Sequence, residues 1–390
     1  MSDLSVSLEA LARNPLDEGL ARSQPSQLSV STYFSDALFR REMALLLQRG
    51  PRYLGHALAV PEVGDFYALP QEGEGRALVR TAQGVELVSN VCRHRQALML
   101  RGRGNTGNTG TIVCPLHRWT YDLHGKLLGA PLFAQDPCLH LANYPVQQWN
   151  GMVFERNGRD IAAELAQIGP RADLDFSGFV LDKVHVQQCD YNWKTFIEVY
   201  LEDYHVGPFH PGLGGFVSCS DLRWEFGPHH SVQTVGIRDG LRQAGSPAYQ
   251  RWQDAVLALG RGVPPKQGAI WLTCFPNIMV EWYPHVLVVS TLYPKGPQKT
   301  VNVVEFFYPE EVAAFEREFI DAQQAAYLET CAEDDEIALR MDAGRKALME
   351  RGDDEVGPYQ SPLEDGMRHF HDWYRRGMGG AGASLPVIAE

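Results

Sequence analysis

Two short loops that each pair a cysteine with a histidine constrain this chain more than any other feature. The first is Cys92-Arg93-His94 and the second is Cys114-Pro115-Leu116-His117, with 19 residues between them. Two such loops that face each other can hold a two-iron, two-sulfide cluster, in which the cysteines bind one iron and the histidines the other. Zinc sites usually space their ligands as C-x2–4-C and H-x3–5-H, so a zinc knuckle is the weaker alternative.

Composition narrows the classes of partner. The 390 residues are 44% hydrophobic, and 48 acidic residues against 35 Lys and Arg give a formal net charge of −13. Nucleic acids and anionic membranes bind clusters of basic residues, so neither is expected as a partner. The chain has no apolar run of about 18 residues, and its first residues lack the basic and apolar regions of a signal peptide. We therefore expect a cytoplasmic protein without a membrane span.

The hydrophobic pattern predicts two unequal β-rich units of the α+β class. Short apolar runs separated by Gly and Pro predict an antiparallel β unit from residue 51 to about residue 155. Longer segments rich in Val, Ile, Trp and Tyr predict one antiparallel sheet further on, and they are 222–237, 269–293 and 300–308. Residues 191–204 and 310–350 have the spacing of helices, with a break in the second. An arm and helix at 1–44 and a tail at 377–390 flank the two units.

A second group of candidate metal ligands lies near residue 205. His205 and His210 are five residues apart, with Gly207-Pro208 between them. A helix that ends at residue 205 and a loop that returns His210 would bring both imidazoles to one metal. Two histidines and one carboxylate form the facial triad of non-haem iron(II) oxygenases, which leaves positions open for O2 and substrate.

These segments resemble the α subunits of ring-hydroxylating oxygenases, the Rieske non-haem iron oxygenases. The motifs are CRH, CPLHRWTYDLHGKL, NWK followed by E-x-Y-L-x-x-Y-H-x4-H, and EDDEI, and the resemblance spans roughly residues 30–376. One departure is a slightly longer loop between the two cysteine–histidine pairs, around the Asn-Thr-Gly doublet at 105–110. Such lengthening costs little and should leave the ligands alone.

The resemblance implies an architecture and two cofactors. It implies a Rieske domain at 45–156 and a mononuclear iron domain at 157–376, in which helices cover a long antiparallel sheet in a helix-grip arrangement. The helix of 1–44 would pack on this second domain. A [2Fe-2S] cluster would be bound by four residues, which are Cys92, His94, Cys114 and His117. A mononuclear Fe(II) would be bound by His205, His210 and an Asp from the EDDEI segment.

The resemblance also implies roles for individual carboxylates. Asp334 is the expected third iron ligand, and Asp335 is its rival because four consecutive acids blur the register. The residue three before the first histidine bridges neighbouring subunits for electron transfer in this family, and here it is Glu202 instead of the usual Asp. Glu202 and His205 would share a helix face at i,i+3. Asp203 would be a surface neighbour or a substitute bridge, and Asn192 of the NWK motif is counted with the catalytic residues.

The expected substrate is small and aromatic, and it would be hydroxylated or oxidatively demethylated with O2. Within the family, the alternative is a monooxygenase of carnitine or another quaternary ammonium compound, for which an aromatic cage and the countercharge of Glu281 would suit the cation. An electron-transfer Rieske protein without an oxygenase site is the alternative from another class. The candidate pocket walls are Trp224, Phe226, Trp271, Phe275, Asn277, Met279 and Glu281.

Electrons must reach the chain from outside. The Gly-rich stretch GRGNTGNTG lies between the two cysteine–histidine loops and does not open a helix, so it is not a dinucleotide fingerprint. We therefore expect a separate NAD(P)H-dependent reductase or a ferredoxin as partner. The resemblance further implies a homotrimer, in which the Rieske domain of one subunit faces the catalytic iron of its neighbour.

Overall fold

The computed structural model describes residues 26–157, 159–168 and 171–379. Residues 1–25 of the expected arm and 380–390 of the expected tail lie outside the described residues. The chain divides into a small unit, of residues 51–186 and 305–307, and a large unit, which takes the chain up to residue 50, residues 187–304 and the chain from 308 onward. Both units contain antiparallel sheets and the large unit adds long helices, which confirms the α+β prediction.

The small unit contains a five-stranded sheet in the order β5-β2-β3-β4-β9 and two three-stranded sheets in the orders β1-β11-β10 and β6-β7-β8. Its strands are β1 Arg52–His56, β2 Asp65–Ala68, β3 Arg76–Thr81, β4 Gly84–Ser89, β5 Arg103–Asn105, β6 Thr111–Val113, β7 Thr120–Asp122, β8 Leu127–Gly129, β9 Asn143–Tyr144, β10 Val146–Trp149 and β11 Met152–Glu155. Residues of β3, β4, β6, β7 and β8 pack with the intervening loops into one core, and Cys92 and Cys114 belong to it.

The Asn-Thr-Gly doublet forms a compact turn between β5 and β6. Gly107–Thr109 make one turn of 3-10 helix. Gly107 and Gly110 have φ angles of 74° and 56°, in the left-handed region that glycine enters at little cost. The extra residues are therefore absorbed before β6, and Cys114 still follows directly after that strand.

A seven-stranded antiparallel sheet in the order β12-β18-β17-β16-β15-β14-β13 dominates the rest of the chain. Its strands are β12 Phe179–Cys189, β13 Val217–Phe226, β14 His230–Ile237, β15 Ala269–Cys274, β16 Ile278–Tyr283, β17 Val286–Gly296 and β18 Lys299–Pro309. The segment expected as one strand over 222–237 turns back at Gly227, whose N–H donates to the His230 carbonyl at 2.9 Å. It therefore contributes to two neighbouring strands.

Helices connect and cover these strands. They are α1 Asp36–Glu42, α2 Ile161–Leu165, α3 Trp193–Tyr200, α4 Val206–Phe209, α5 Pro211–Phe216, α6 Pro247–Leu259, α7 Glu310–Phe315, α8 Arg317–Glu350 and α9 Asp365–Gly379. A π-helical turn, Met43–Leu47, extends α1. The break expected within 310–350 lies at Glu316, between α7 and α8. No helix in the described part of the chain is long and apolar enough to cross a membrane.

Helix α3 is shorter than the 191–204 expected from the sequence. Asn192 caps its first turn, since the Asn192 side chain accepts the Lys194 N–H at 2.9 Å. After Tyr200 the backbone bonds to another segment instead of continuing the helix. The Leu201 carbonyl accepts the Met367 N–H at 3.1 Å, and the Asp203 N–H donates to the Leu363 carbonyl at 3.0 Å. These long-range bonds, which helix periodicity does not reveal, end α3 five residues before His205.

Candidate functional site

The two cysteine–histidine loops meet in the small unit. Each forms a tight turn in which the residue four after the cysteine donates its N–H to the cysteine carbonyl, at 3.1 Å for both Gln96 to Cys92 and Arg118 to Cys114. Gln96 and Arg118 have positive φ angles of 54° and 60°. The rings of His94 and His117 lie 4.7 Å apart between centroids. The folded loops therefore bring the two imidazoles together, as a shared cluster would need.

Burial and chemistry at these loops fit an iron–sulfur cluster. Cys92 and Cys114 are each 1% exposed, whereas His117 lies at the surface. The His94 ring stacks on Trp119 at 5.0 Å, and its Nδ1 is buried with no partner among the described residues. The Tyr121 hydroxyl lies 3.6 Å from the Cys92 sulfur, where it can donate to a thiolate. Two thiolates at a buried end and two imidazoles at the other match the Rieske ligand set.

His205, His210 and Asp334 converge in the large unit. The Nε2 atoms of the two histidines are 2.9 Å apart, and Asp334 Oδ1 lies 3.0 Å from His210 Nε2 and 3.5 Å from His205 Nε2. A metal bound at about 2.1 Å places neighbouring ligands of an octahedron about 3 Å apart. The three atoms therefore fit one face of an octahedral metal site, with the opposite face available for other ligands.

A second carboxylate holds each histidine from behind. Glu202 Oε1 lies 2.6 Å from His205 Nδ1, and Glu333 Oε2 lies 2.7 Å from His210 Nδ1. The hydrogen bond between His210 and Glu333 fixes the ring orientation so that Nε2 would face a metal. The contact between Glu202 and His205 Nδ1 is an ion pair without hydrogen-bond geometry. Burial opposes protonation of His205, but the carboxylates of Asp334 and Glu202 outweigh burial and raise its pKa to about 10 in the metal-free protein. The site attracts a cation strongly.

The neighbouring acids have different positions. Asp335, the rival ligand, points away, since its carboxylate accepts the Tyr191 hydroxyl at 2.6 Å and the Gln187 amide at 2.5 Å. Glu202 lies beyond the end of α3, so the expected shared helix face with His205 is wrong. A turn brings them together, and Glu202 Oε2 accepts the His205 N–H at 3.0 Å. Asp203 is 3% exposed rather than at the surface, and burial raises its pKa to about 7.

A cavity opens beside the three candidate ligands. Its wall combines aromatic rings with four carboxyl groups, which come from the segment after α3, from β16 and from α8. The lining residues are Tyr191, Phe196, Val199, Tyr200, Glu202, Asp203, His205, Val206, His210, Leu213, Tyr249, Trp252, Trp271, Glu281, Tyr283, Ser290, Gln323, Tyr327, Thr330, Cys331, Asp334 and Ala338.

Trp271 and Glu281, opposite each other on β15 and β16, line this cavity. Five other residues expected as pocket walls lie elsewhere, which corrects that expectation. They are Trp224 and Phe226, which stack on each other beside His369; Phe275, which packs on Phe370 and Trp373; Asn277, which donates to the Leu292 carbonyl; and Met279, which belongs to the core.

Asn192 has a structural role in the fold, although a catalytic role was expected for it. Besides capping α3, its amide donates to the carbonyls of Tyr33 and Pro297 at 2.8 and 2.7 Å. The neighbouring Lys194 forms an ion pair with Glu42 at 2.6 Å, and both are buried. The NWK motif therefore anchors the start of α3 rather than touching the cavity.

Several site residues were not predicted from the sequence. Glu333, the partner of His210, could not be distinguished from the other acids in the run of four. Tyr200, Tyr283 and Tyr327 reach the cavity from three separate elements and give no local motif. Only Tyr283 could have been found from a sequence pattern. It lies two residues after Glu281 on β16, so the two side chains share a face of the strand.

Family models match most of the chain. The ring-hydroxylating α-subunit catalytic domain matches residues 171–380, and the Rieske [2Fe-2S] domain matches residues 53–146. A putrescine 2-hydroxylase of Ralstonia nicotianae is 66% identical over 353 residues, covering 90% of this chain and 96% of that protein. A putrescine 2-hydroxylase of Bordetella bronchiseptica is 59% identical over 366 residues, covering 91% and 85%.

Solved structures share the fold at low sequence identity. A quaternary ammonium Rieske monooxygenase is 19% identical with a TM-score of 0.72, covering 94% of this chain and 99% of that chain. A naphthalene 1,2-dioxygenase from Rhodococcus sp. is 19% identical with a TM-score of 0.67, covering 97% and 100%.

The family resemblance seen in the sequence is thus confirmed, and the alternative of an electron-transfer protein without an oxygenase domain is wrong. The chain belongs to the ring-hydroxylating oxygenase α subunits, enzymes with a Rieske [2Fe-2S] cluster and a mononuclear iron that act on a small molecule and receive electrons from a separate protein.

Proposed function

We propose that this oxygenase hydroxylates a small aliphatic diamine of the putrescine class at the carbon next to an aminomethyl group. The charge of the cavity carries this proposal. Four carboxyl groups line it, from Glu202, Asp203, Glu281 and Asp334, and none of the described lining residues is Lys or Arg. The names of the two relatives at 66% and 59% identity point to the same substrate class.

The same negative charge disfavours an aromatic acid as the substrate. An anionic substrate needs a cationic anchor, whereas this cavity would repel a carboxylate and attract an ammonium. The aromatic rings of the wall remain useful to a diamine, because they can pack on its methylene groups and face its charged ends. The charges of the cavity give no support to the expected neutral aromatic substrate.

We further propose the ligand sets that the sequence suggested. Cys92, His94, Cys114 and His117 would hold the cluster, and His205, His210 and Asp334 would hold the iron. When bound, the iron activates O2 and the cluster supplies electrons one at a time, so that hydroxylation consumes O2, two electrons and two protons and releases water.

The chain's own residues position the reactants. Glu202 and Glu333 hold the two imidazoles from behind, which keeps their Nε2 atoms directed at the metal. The aromatic wall excludes water from the bound methylene chain, and the carboxyl groups hold the ammonium ends. Orientation of this kind is worth several orders of magnitude in rate when it presents one carbon to the reacting centre.

We also propose that the protein works as a homotrimer with Glu202 as the bridge between subunits. The Glu202 side chain is 17% exposed while it contacts His205, so one edge of its carboxylate remains accessible to a neighbouring chain. Glu is one methylene longer than the Asp usual at this position, and it can still accept a hydrogen bond from an imidazole N–H of a neighbouring cluster.

A single-turnover experiment tests the substrate class. The iron-replete protein is reduced, freed of reductant and exposed to O2 with putrescine, with its N-trimethylated or carboxylated analogues, or with benzoate. We expect the mass of one added oxygen on putrescine only, with the hydroxyl on the second carbon. Formation of trimethylamine from a quaternary substrate would favour the carnitine-type alternative, and oxidation of benzoate with no diamine product would overturn the proposal.

A further inference from the structure

Glu281 is a fully buried carboxyl group with both oxygens held in place. It is 2% exposed and lies in the middle of β16. The Tyr283 hydroxyl donates to Glu281 Oε2 at 2.8 Å, and the Tyr327 hydroxyl donates to Oε1 at 2.9 Å. The Trp271 indole N–H in turn donates to the Tyr283 oxygen at 2.9 Å. A strand, its paired strand and helix α8 thus fix one carboxyl group in the cavity wall.

This carboxyl group keeps acceptor capacity for a cation. An ionised carboxylate offers about four acceptor positions, and two tyrosines use two of them. The Tyr200 hydroxyl, also in the cavity wall, is buried with no partner among the described residues. Burial without a cation raises the pKa of Glu281 to about 7, although the two tyrosine hydroxyls oppose this. A charged donor in the cavity would remove that cost of burial.

Helix α8 contributes both to the surroundings of this carboxyl group and to the metal site. Tyr327 and Asp334 are seven residues apart on α8, so they lie on the same face two turns apart. Their Cα atoms are separated by about 10 Å along the helix axis. Five bonds separate the two nitrogens of putrescine, which spans about 6 Å when extended. A diamine of this length can have one end at Glu281 and carbons of its other end near His205, His210 and Asp334.

We propose that Glu281, held by Tyr283 and Tyr327, binds the ammonium remote from the metal site and thereby sets which carbon of the diamine is hydroxylated. The inference rests on the proposed diamine substrate and assigns a specificity-determining residue to it. Glu281 touches the substrate but takes no part in oxygen chemistry.

An ammonium anchor at Glu281 would affect selectivity in two ways. A primary ammonium has three N–H donors, which the Glu281 oxygens and Tyr200 can accept, whereas a trimethylammonium has none. The cavity should therefore favour primary over quaternary amines. A fixed anchor also makes the reacting carbon depend on chain length, because each added methylene moves the chain along the cavity.

The test uses three variants of the holoenzyme. Glu281→Gln keeps the size of the side chain and removes its charge, and Glu281→Asp keeps the charge but withdraws it by one methylene. Glu305→Gln is the matched control, because Glu305 is also buried, accepts a tyrosine hydroxyl, that of Tyr53 at 2.5 Å, and does not line the cavity. Binding of putrescine, 1-butylamine, 1,3-diaminopropane and cadaverine is measured by anaerobic calorimetry, and product positions are determined by mass spectrometry.

We expect Glu281→Gln to weaken putrescine binding roughly tenfold to a hundredfold, the range for losing a hydrogen bond to a charged group, and to weaken 1-butylamine as well, because its single ammonium would bind to the same carboxylate. Glu281→Asp should shift the preferred length from putrescine toward cadaverine, and Glu305→Gln should bind like the wild type. Unchanged putrescine binding in Glu281→Gln, or an unchanged length preference in Glu281→Asp, would overturn the anchor while leaving the diamine function intact. Failure of the iron-loaded wild type to bind any diamine would instead overturn the proposed function.

Discussion

Two adjacent aspartates of α8 have different partners because successive residues of a helix point about 100° apart. Asp334 faces the two histidines, whereas Asp335 faces Tyr191 and Gln187. We therefore expect Asp334→Ala to lose the mononuclear iron and the hydroxylase activity while keeping the visible absorption of the cluster. Asp335→Ala should keep the mononuclear iron, the cluster and most of the activity. Iron analysis together with cluster absorption measures both outcomes.

The two variants together distinguish the loss of a metal ligand from a loss of helix stability. Both substitutions remove a carboxylate from the same turn of the same helix, so a general loss of helix stability would affect them alike. Loss of mononuclear iron in Asp335→Ala with full retention in Asp334→Ala would reverse the ligand assignment.

Single residues were predictable where their chemistry is local in sequence. The two cysteine–histidine loops and the His205–His210 pair are recognised from spacing, because each spacing places ligands on one turn. Glu281 was identifiable as a countercharge, but its tyrosine partners were not, since Tyr327 comes from a helix more than 40 residues later. Pocket walls chosen from aromatic content failed for Trp224 and Phe275, because aromatic side chains fill the core as readily as a cavity.

Helices α3 and α8 are joined by a buried ion pair that the sequence patterns do not reveal. Arg345 Nη2 contacts Glu198 Oε2 at 2.6 Å, and His371 donates to the other oxygen at 2.8 Å. Burial raises the pKa of Glu198, but the charge of Arg345 and the contact with His371 outweigh burial and lower it to about 2. The stabilisation that ionised Glu198 provides is therefore present above pH 4.5 and is lost as the pH falls toward 2.

Removing the cation should leave a buried, uncompensated carboxylate. We expect Arg345→Met to reduce the free energy of unfolding by about 3–5 kcal/mol, measured by urea denaturation of the iron-loaded protein at pH 7. Arg340→Met is the control, because its ion pair with Glu336 on the same helix is exposed and should contribute less than about 1 kcal/mol. Equal losses in the two variants would show that the Glu198 pair does not join the helices.

At the scale of the whole molecule, the proposed trimer predicts that the cluster of one chain serves the iron of its neighbour. His117→Ala removes a cluster ligand at an exposed position, and Asp334→Ala removes an iron ligand, so each variant alone should be inactive. Trimers that contain both variants are purified through two different tags. In a head-to-tail ring, such a trimer has an intact cluster facing an intact iron site at one of its three subunit interfaces. They should recover about one third of the wild-type activity. Recovery near zero, with mixed trimers verified by mass, would mean that electrons pass within a chain.

The same mixed trimers assign the bridge. In them only the His117→Ala chain has a working iron site, so only its Glu202, against His205 Nδ1, can connect that iron to a neighbour's cluster. Glu202→Gln placed in that chain should slow cluster oxidation by O2 and substrate in stopped-flow measurements at least tenfold, with iron content unchanged. Placed in the Asp334→Ala chain, the same substitution should have no effect, since no iron is present there to serve. Equal rates in the two arrangements would exclude Glu202 as the bridge, because the position of one carboxylate relative to the working iron is the only difference between them.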